Sequence, residues 1–283
     1  MSCSQYQSFL ECEAAAMAKL YGGWKGTGDS TAFLVGNYFH SYFESQEAHK
    51  AFCDEHFDNI FKTKTTKARG TEVVGKYAEY VQADRMIQKV ENDPVCKRFL
   101  DMHGENEVIM TGELFGIPWR IRMDKYCPES RIIIDYKTSK NLRELFYNPL
   151  TRERETFVEH HGYLMRAAVY SEIEKRNAGQ ENDPLFIIIG VSKQDFPDID
   201  VLSLNHRQRW DMELEQMKKN IARIQRLKTG QEAPKRCGVC EYCRATSKVK
   251  RIKPYYELKP EFRTEDDFDD FYEILEKREP EPL

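Results

Sequence analysis

The sequence has no long apolar run, no low-complexity linker and no internal repeat. A bilayer-spanning helix needs roughly 20 consecutive apolar residues, and no segment of the 283-residue chain approaches that length. The first residues also lack the basic flank, apolar stretch and small-residue cleavage site of a secretory signal. These absences exclude a helical membrane protein and a repeat array. We therefore expect a cytoplasmic protein with no membrane partner.

A disulfide framework is also missing, although the chain has eight cysteines. Three of them are packed as Cys237-x2-Cys240-x2-Cys243, and the others are scattered singly. Such close spacing in a cytoplasmic protein is typical of metal ligands or reduced thiols. Three thiolates need a fourth ligand to close a zinc site or to hold a cubane iron–sulfur cluster. The spacing alone leaves a metal centre and an unmetallated loop as alternatives.

A strongly basic balance is absent as well, since 43 Lys and Arg oppose 47 Asp and Glu, for a net charge of −4. This value argues against a wholly basic nucleic-acid-binding surface, but the charges are unevenly distributed. The segment 264–283 is strongly acidic, whereas basic residues cluster at 61–70 and 217–228. We predict one domain over residues 1–252 and an acidic C-terminal tail over 253–283. The charge permits DNA binding without demonstrating it.

Apolar periodicity predicts long helices in both halves of the chain. They are predicted at 5–20, 31–56, 72–101, 158–176 and 205–228, with Asp29 or Ser30 as the N-cap of the second.

Between these helices the period of the pattern changes to that of strands. Residues 107–124 alternate around a Gly-Ile-Pro turn, which predicts a β-hairpin. The apolar run 131–139 predicts a strand buried on both faces, and 184–193 predicts a further strand. The order is helices, three strands, helix, strand and helix. We therefore predict an α/β (α+β) fold with helical additions at both ends.

The chemistry is expected at Asp124, which ends the hairpin, and at Asp135 and Lys137 on the next strand. Carboxylates on adjacent strands can share a divalent cation, and hard ions such as Mg²⁺ prefer oxygen ligands. Residues two apart on a strand face the same way, so Asp135 and Lys137 point together. Lys137 could then orient or deprotonate a metal-bound water, or stabilise charge on a phosphate. The alternative interpretation is a buried structural ion pair.

The pattern Arg-Met-Asp124, followed by Ile-Ile-Ile-Asp135-Tyr-Lys137-Thr, resembles the D…D-x-K signature of PD-(D/E)XK nucleases. Within that superfamily the chain most resembles the phage exodeoxyribonuclease VIII (RecE-like) enzymes, over residues 30–245. The resemblance implies a restriction-endonuclease-like core, in which helices flank a central mixed sheet.

Two upstream positions agree with this resemblance. Gly36 and His40 match a G-x-x-x-H helix motif whose histidine is a metal ligand in the family, although a core histidine is the alternative. Glu107 matches the acidic residue upstream of the first aspartate. Glu105 and Glu113 are nearby, and the register of the hairpin decides which glutamate faces inward.

Arg166 and Tyr170 lie where the family shows Q-x-x-x-Y on the helix after the D-x-K strand, so the resemblance assigns both to substrate binding. Arginine replaces the usual glutamine, and its guanidinium could contact a phosphate directly. A surface arginine and a tyrosine packed on the sheet are the alternatives.

The resemblance implies a catalytic cluster that binds one or two Mg²⁺ (or Mn²⁺) ions. Its members are His40, Asp124, Asp135, the Tyr136 carbonyl, Lys137 and Glu107. It also implies digestion of one strand from double-stranded DNA ends, 5′ to 3′, by a ring-shaped homo-oligomer. The setting would be phage-type recombination with a single-strand annealing partner. The alternatives are a structure-specific endonuclease, a non-catalytic DNA-binding or assembly module, and a zinc-binding regulatory protein.

Some nuclease relatives carry an iron–sulfur cluster that joins one N-terminal cysteine to three near the C-terminus. This likeness implies Cys12 or Cys3 as the fourth ligand beside the three clustered cysteines. The centre would pin the C-terminal part of the chain to the N-terminal helix. A Zn²⁺ ion bound by the same residues is the alternative cofactor.

Overall fold

A five-stranded mixed sheet organises the chain in the computed structural model. The structure describes residues 1–26, 31–66, 70–148, 151–249, 252 and 254–258. The predicted caps Asp29 and Ser30, and the acidic segment from residue 259 onward, lie outside the described residues. None of the described helices combines the length and the apolar character that crossing a membrane requires.

The strands form one large sheet and two small hairpins. They are β1 Phe61–Thr66, β2 Gly70–Lys76, β3 Glu105–Leu114, β4 Ile117–Cys127, β5 Ile132–Ser139, β6 Phe146–Asn148, β7 Glu153–Glu155, β8 Leu185–Ser192 and β9 Ile199–Ser203. The large sheet has the order β3-β4-β5-β8-β9, with β5 and β8 parallel and the other neighbours antiparallel. Helices flank this mixed sheet, so the predicted fold class is confirmed.

Four of the five predicted long helices are interrupted by residues with non-helical backbone, whereas the predicted helix over 205–228 is continuous as Arg207–Lys228. The α-helices are α1 Cys3–Glu11, α2 Glu13–Leu20, α3 Thr31–Glu44, α4 Gln46–Glu55, α5 Phe57–Ile60, α6 Ala78–Asn92, α7 Pro94–Leu100, α8 Phe157–His160, α9 Tyr163–Ala178, α10 Arg207–Lys228 and α11 Glu241–Ala245. Extended backbone at Cys12 separates α1 from α2, and Ser45 caps α4 by accepting a hydrogen bond from the Ala48 amide. Gly162, with φ of 66°, separates α8 from α9.

The predicted helix over 72–101 is wrong at its start, because residues 70–76 form β2 and pair with β1. Val73 and Val74 are β-branched and favour a strand. The prediction failed because these two apolar residues also continue the helical spacing of the residues that follow. The predicted hairpin over 107–124 is confirmed and extends to both sides. Its turn lies one residue earlier than expected, at Phe115 and Gly116, whose φ values are 56° and 73°.

The central strand β5 is buried on both faces, as its sequence predicts. Ile133 packs with α9 and α10 in one core, whereas Ile132 and Ile134 pack with α3 and α6 in a second core. The two cores therefore hold the sheet from both sides. The polar residues that follow in β5 come to lie at the point where the sheet opens.

Candidate active site

The sheet splits between β4 and β5, and the acidic residues lie at the split. Lys125 to Cys127 pair with Ile134 to Ile132, and the next pair of this register would be Asp124 and Asp135. Instead of a backbone bond, the Asp124 carboxylate accepts a hydrogen bond from the Tyr136 amide at 2.8 Å. Beyond this point β5 pairs only with β8, so a cleft opens along the free edge of β4.

Lys137 points the same way as Asp135 and lies beside both aspartates. Its amine contacts Asp135 Oδ2, lies 3.9 Å from Asp124 Oδ2 and donates a hydrogen bond to the Tyr136 carbonyl at 2.9 Å. Asp135 is 1% exposed, and its Oδ2 has no hydrogen bond of regular geometry among the described residues. A buried carboxylate oxygen with so few donors is a costly arrangement unless a cation completes it.

His40 reaches the same cleft from α3. Its Nδ1 lies 3.4 Å from Asp124 Oδ2, and its ring approaches the ring of Tyr136. Burial raises the pKa of Asp124, but the charges of His40 and Lys137 and the bonds from His40 and the Tyr136 amide outweigh it. The pKa of Asp124 therefore lies well below its ordinary value. The Asp124 carboxylate stays ionised and available to a cation at neutral pH.

Glu107 is the glutamate of the hairpin that lines the cleft; Glu105 and Glu113 do not. It lies in β3 opposite Asp124, and its carboxylate pairs with Arg122 at 2.9 Å. Its φ of 56° is rare for a residue with a side chain and costs roughly 1 kcal/mol. Burial and the neighbouring carboxylates raise the pKa of Glu107 despite Arg122.

Asn106, the neighbour of Glu107, joins β3 to α3, the helix that carries His40. The sequence analysis did not predict this residue as part of the site. The Asn106 side-chain amide donates to the Phe43 carbonyl at 3.1 Å and to the Glu44 carbonyl at 2.8 Å. These bonds satisfy the C-terminal carbonyls of α3, the helix that carries His40. No local pattern distinguishes this asparagine, because its partners lie 62 and 63 residues earlier in the chain.

Arg166 and Tyr170 reach the split from α9, on the other side of Asp124 from His40. Tyr170 donates a hydrogen bond to the Arg122 carbonyl at 2.9 Å, on the free edge of β4. Arg166 lies 6.0 Å from the Tyr170 ring, and its buried Nε has no hydrogen-bond partner among the described residues. Burial lowers the pKa of Arg166, but the negative charge of Asp135 and its neighbours raises it above its ordinary value.

The cleft encloses about 580 Å³ and gathers most of the predicted site. Its lining includes His40, Glu107, Asp124, Lys137 and Arg166. The lining also includes Arg122, which the sequence analysis missed. The sequence could have predicted that Arg122 faces the site, because Arg122 and Asp124 are two residues apart on a strand of alternating pattern.

The residues of the cleft fit a hard divalent cation by their chemistry, because two carboxylates and an imidazole converge beside an under-bonded oxygen of Asp135. Lys137 lies between the two aspartates and contacts both of them. A second set of candidate metal ligands, formed by cysteines, is more compact. Among the described residues, its sulfur atoms all lie within 4.8 Å of one another.

That second cluster consists of Cys12, Cys237, Cys240 and Cys243. The Cys243 sulfur lies 3.7 Å from that of Cys12 and 4.0 Å from that of Cys237. The amides of Val239 and Cys240 donate to Cys237 and lower its pKa to about 6, which favours the thiolate. Of the two candidates for the fourth ligand, Cys12 lies here.

Cys3, the other candidate, does not join this cluster. It is buried beside Arg166 and lines a different pocket.

The thiol cluster joins distant parts of the chain through neighbouring bonds. Glu13 pairs with Arg223 of α10 and accepts a hydrogen bond from the Lys235 amide at 2.7 Å. The Ala14 amide donates to the Lys235 carbonyl at 3.0 Å. Arg226, also in the basic segment 217–228, pairs with Glu232, so part of that segment serves internal ion pairs.

The fold and the paired acidic strands place the protein in the PD-(D/E)XK class, as the sequence predicts. The chain belongs to the family described as PDDEXK-like domain of unknown function (DUF3799), whose model matches residues 2–246.

One solved relative resembles the chain over nearly its whole length. It is a protein of Eubacterium rectale named a "putative exonuclease", 33% identical, with a TM-score of 0.79, covering 91% of this chain and 92% of its own. The crystal structure of SSO0001 aligns with 14% identity and a TM-score of 0.31 over 83% and 95% of the two chains, too weakly for any inference. No curated protein matches the chain significantly.

Proposed function

We propose that this protein is a metal-dependent DNA exonuclease that hydrolyses phosphodiester bonds in the cleft between β4 and β5. The observation that carries the proposal is the cluster of Asp124, Asp135 and Lys137 at the split of the sheet. A buried ion pair alone would not require the sheet to open, nor leave a cleft of about 580 Å³ beside it. The family and the relative named an exonuclease support the same activity.

Asp124, Asp135, His40 and the Tyr136 carbonyl would hold one or two Mg²⁺ or Mn²⁺ ions. Such an ion lowers the pKa of bound water and offsets charge on a phosphate when it is present. Lys137 supplies a fixed positive charge to the substrate phosphate, and its contacts with both aspartates position it. Glu107 lines the cleft, and its carboxylate pairs with Arg122 there. Arg166 and Tyr170 would face the sugar-phosphate chain.

The substrate that fits this assignment is a double-stranded DNA end. We propose digestion of one strand from that end, 5′ to 3′, by a homo-oligomeric ring acting in phage-type recombination with a single-strand annealing partner. The resemblance of the motifs supports these finer assignments. A structure-specific endonuclease with the same cleft is the competing function.

We also propose that the four clustered cysteines bind a structural metal ion, and that this ion is zinc. A zinc ion bound to four sulfurs at roughly 2.3 Å needs neighbouring sulfurs roughly 3.8 Å apart. The separations of 3.7 and 4.0 Å at Cys243 support a single ion. The thiolates of a cubane cluster bind four different irons and therefore stand further apart. The ion would fasten α2 to α11.

The nuclease assignment is tested by incubating linear and covalently closed duplex DNA with the protein in Mg²⁺ or EDTA. We expect loss of linear DNA only, in Mg²⁺ only, and a decrease of about 10² to 10³-fold in Lys137→Ala and at least as much in Asp135→Ala. Asp183→Ala and Lys175→Ala remove a half-buried ion pair outside the cleft and should retain activity. Thermal melting of each variant establishes that it is folded.

Cleavage of closed circles would replace the exonuclease assignment with the endonuclease one. No cleavage of either DNA in any divalent ion would refute the catalytic assignment and favour the DNA-binding module.

A further inference from the structure

A second pocket of about 320 Å³ meets the catalytic cleft and has the opposite charge balance. The two share Arg122, Asp124 and Arg166. The second pocket alone contains Arg120, together with Ser2–Ser4 at the start of α1. Three guanidinium groups and a single carboxylate line it, and we call it the basic pocket.

Beyond the split, no described strand pairs with the free edge of β4. Side chains and the start of α1 cover this edge instead, and the pocket lies between them. The Arg120 amide donates to the Met1 carbonyl at 2.9 Å, and Tyr170 donates to the Arg122 carbonyl. Arg120, Arg122 and Asp124 alternate with buried residues, so the three side chains follow one face of β4 toward the split. The two arginines thus lead from α1 to the carboxylate cluster.

The positive charge of the basic pocket is only partly neutralised by the protein. Arg122 pairs with Glu107, and Arg166 is attracted by Asp135. The Arg166 Nε is buried without a hydrogen bond, and the Arg120 guanidinium has no ion pair among the described residues. Two guanidinium groups therefore keep donors for an anion, in a pocket that Ser2–Ser4 also line.

We infer that the basic pocket binds the terminal phosphomonoester of a DNA strand while the adjacent phosphodiester lies at the carboxylate cluster. This inference rests on the proposed nuclease function and adds what recognises the strand end. A phosphomonoester carries about −1.5 to −2 charges at neutral pH and offers three acceptor oxygens, which suits forked donors of arginine. An internal phosphate carries one charge and has two ester oxygens, so it offers less charge and fewer free acceptor oxygens to the arginines of the basic pocket.

The test uses the affinity of the full chain for short duplexes, measured by fluorescence anisotropy in EDTA so that nothing is cleaved. The duplexes carry a 5′-phosphate, a 3′-phosphate or only hydroxyl ends. We expect one phosphorylated duplex to bind at least about tenfold more tightly than the hydroxyl duplex. Arg120→Gln should abolish that preference and leave the hydroxyl duplex unchanged, and Arg85→Gln on the surface of α6 should preserve it.

The end that gives the preference, 5′ or 3′, identifies the strand that enters the pocket. Equal affinity of the wild-type protein for all three duplexes, or no binding of any, overturns the inference. An equal loss for all duplexes in Arg120→Gln also overturns it, because the arginine would then bind DNA without reading its end. A preserved end preference without cleavage in Mg²⁺ would refute the nuclease function alone, and cleavage without end preference would refute the pocket alone.

Discussion

The carboxylate cluster and the thiol cluster are two candidate metal sites. They differ in whether the protein itself supplies partners that offset the negative charge of the ligands. Lys137 lies beside both Asp124 and Asp135, and the His40 ring lies 3.4 Å from Asp124, so the protein itself offers partners to both carboxylates. Cys12 and Cys243 face each other and the other two thiols, with only weak sulfur contacts and a few amide donors. The first cluster can persist without an ion, whereas an ion at the second would supply most of its cohesion.

This difference separates the two roles that a metal can have in one protein. An ion at the carboxylates would change the chemistry of the cleft and leave the fold largely as it is. An ion at the thiols would contribute directly to the free energy of folding, because it joins α2 to a segment more than 220 residues later. The predictions below test this division from its largest expected effect to its smallest.

The largest effect is expected from removing a thiol ligand. Cys243→Ser should release the metal and lower the free energy of unfolding by about 4 kcal/mol or more, which is about 10 °C in melting temperature. Metal analysis and thermal melting of wild type and variant check this. Cys53→Ser, at a half-buried cysteine of α4, is the matched control and should change neither quantity greatly. Wild-type protein with no bound metal, or visible iron–sulfur absorption in place of zinc, would contradict the assignment.

The same contrast explains which features could be predicted from the sequence. The carboxylate cluster lies on two neighbouring strands, and the alternation of β4 and the apolar run of β5 place Asp124, Asp135 and Lys137 by local rules. The choice between Cys12 and Cys3 depends on how the N-terminal helices pack on the far end of the chain. No local pattern contains that information.

Two further features depended on tertiary contacts in the same way. Glu107 has a left-handed backbone inside a strand, which local propensity disfavours. Residues 70–76 form a strand because they pair with β1, although their pattern also fits a helix. Strands β3, β4, β5 and β8 were thus predictable from local pattern, whereas β1, β2, β6, β7 and β9 and the long-range partners were not.

An intermediate effect is expected from the Asp135–Lys137 pair. Lys137→Met leaves the Asp135 carboxylate buried without its cation, so we expect a loss of about 3 kcal/mol in the free energy of unfolding. The double variant Asp135→Val with Lys137→Met removes both charges and should recover most of that loss while remaining inactive. Urea unfolding of the single and double variants measures both changes, with Lys175→Met as the control at an ion pair outside the cleft.

A single variant as stable as the wild type would mean that Asp135 is not charged without a metal. A double variant less stable than Lys137→Met would instead show that Asp135 stabilises the fold without Lys137, so that the lysine is not the partner that offsets its charge.

The smallest effect concerns basic residues of two different surfaces. On the hairpin of β1 and β2, Lys62 and Lys64 are exposed, and neither has an ion pair among the described residues. Lys76 anchors this hairpin to Tyr38 on the helix that carries His40, with a hydrogen bond of 2.7 Å. Beside the thiols, by contrast, Arg226 is already paired with Glu232.

Replacing both hairpin lysines by Gln should therefore weaken DNA binding several-fold and reduce the slope of log affinity against log salt by about 2, since each lysine contacts about one phosphate. Arg226→Gln removes one positive charge as well but should leave affinity and slope unchanged, because that charge is held by Glu232. Anisotropy titrations of a duplex over a range of salt concentrations measure both. If Arg226→Gln lowered the slope as much as one hairpin lysine, DNA would also cover the thiol cluster, and the division between a catalytic and a structural region would have to be abandoned.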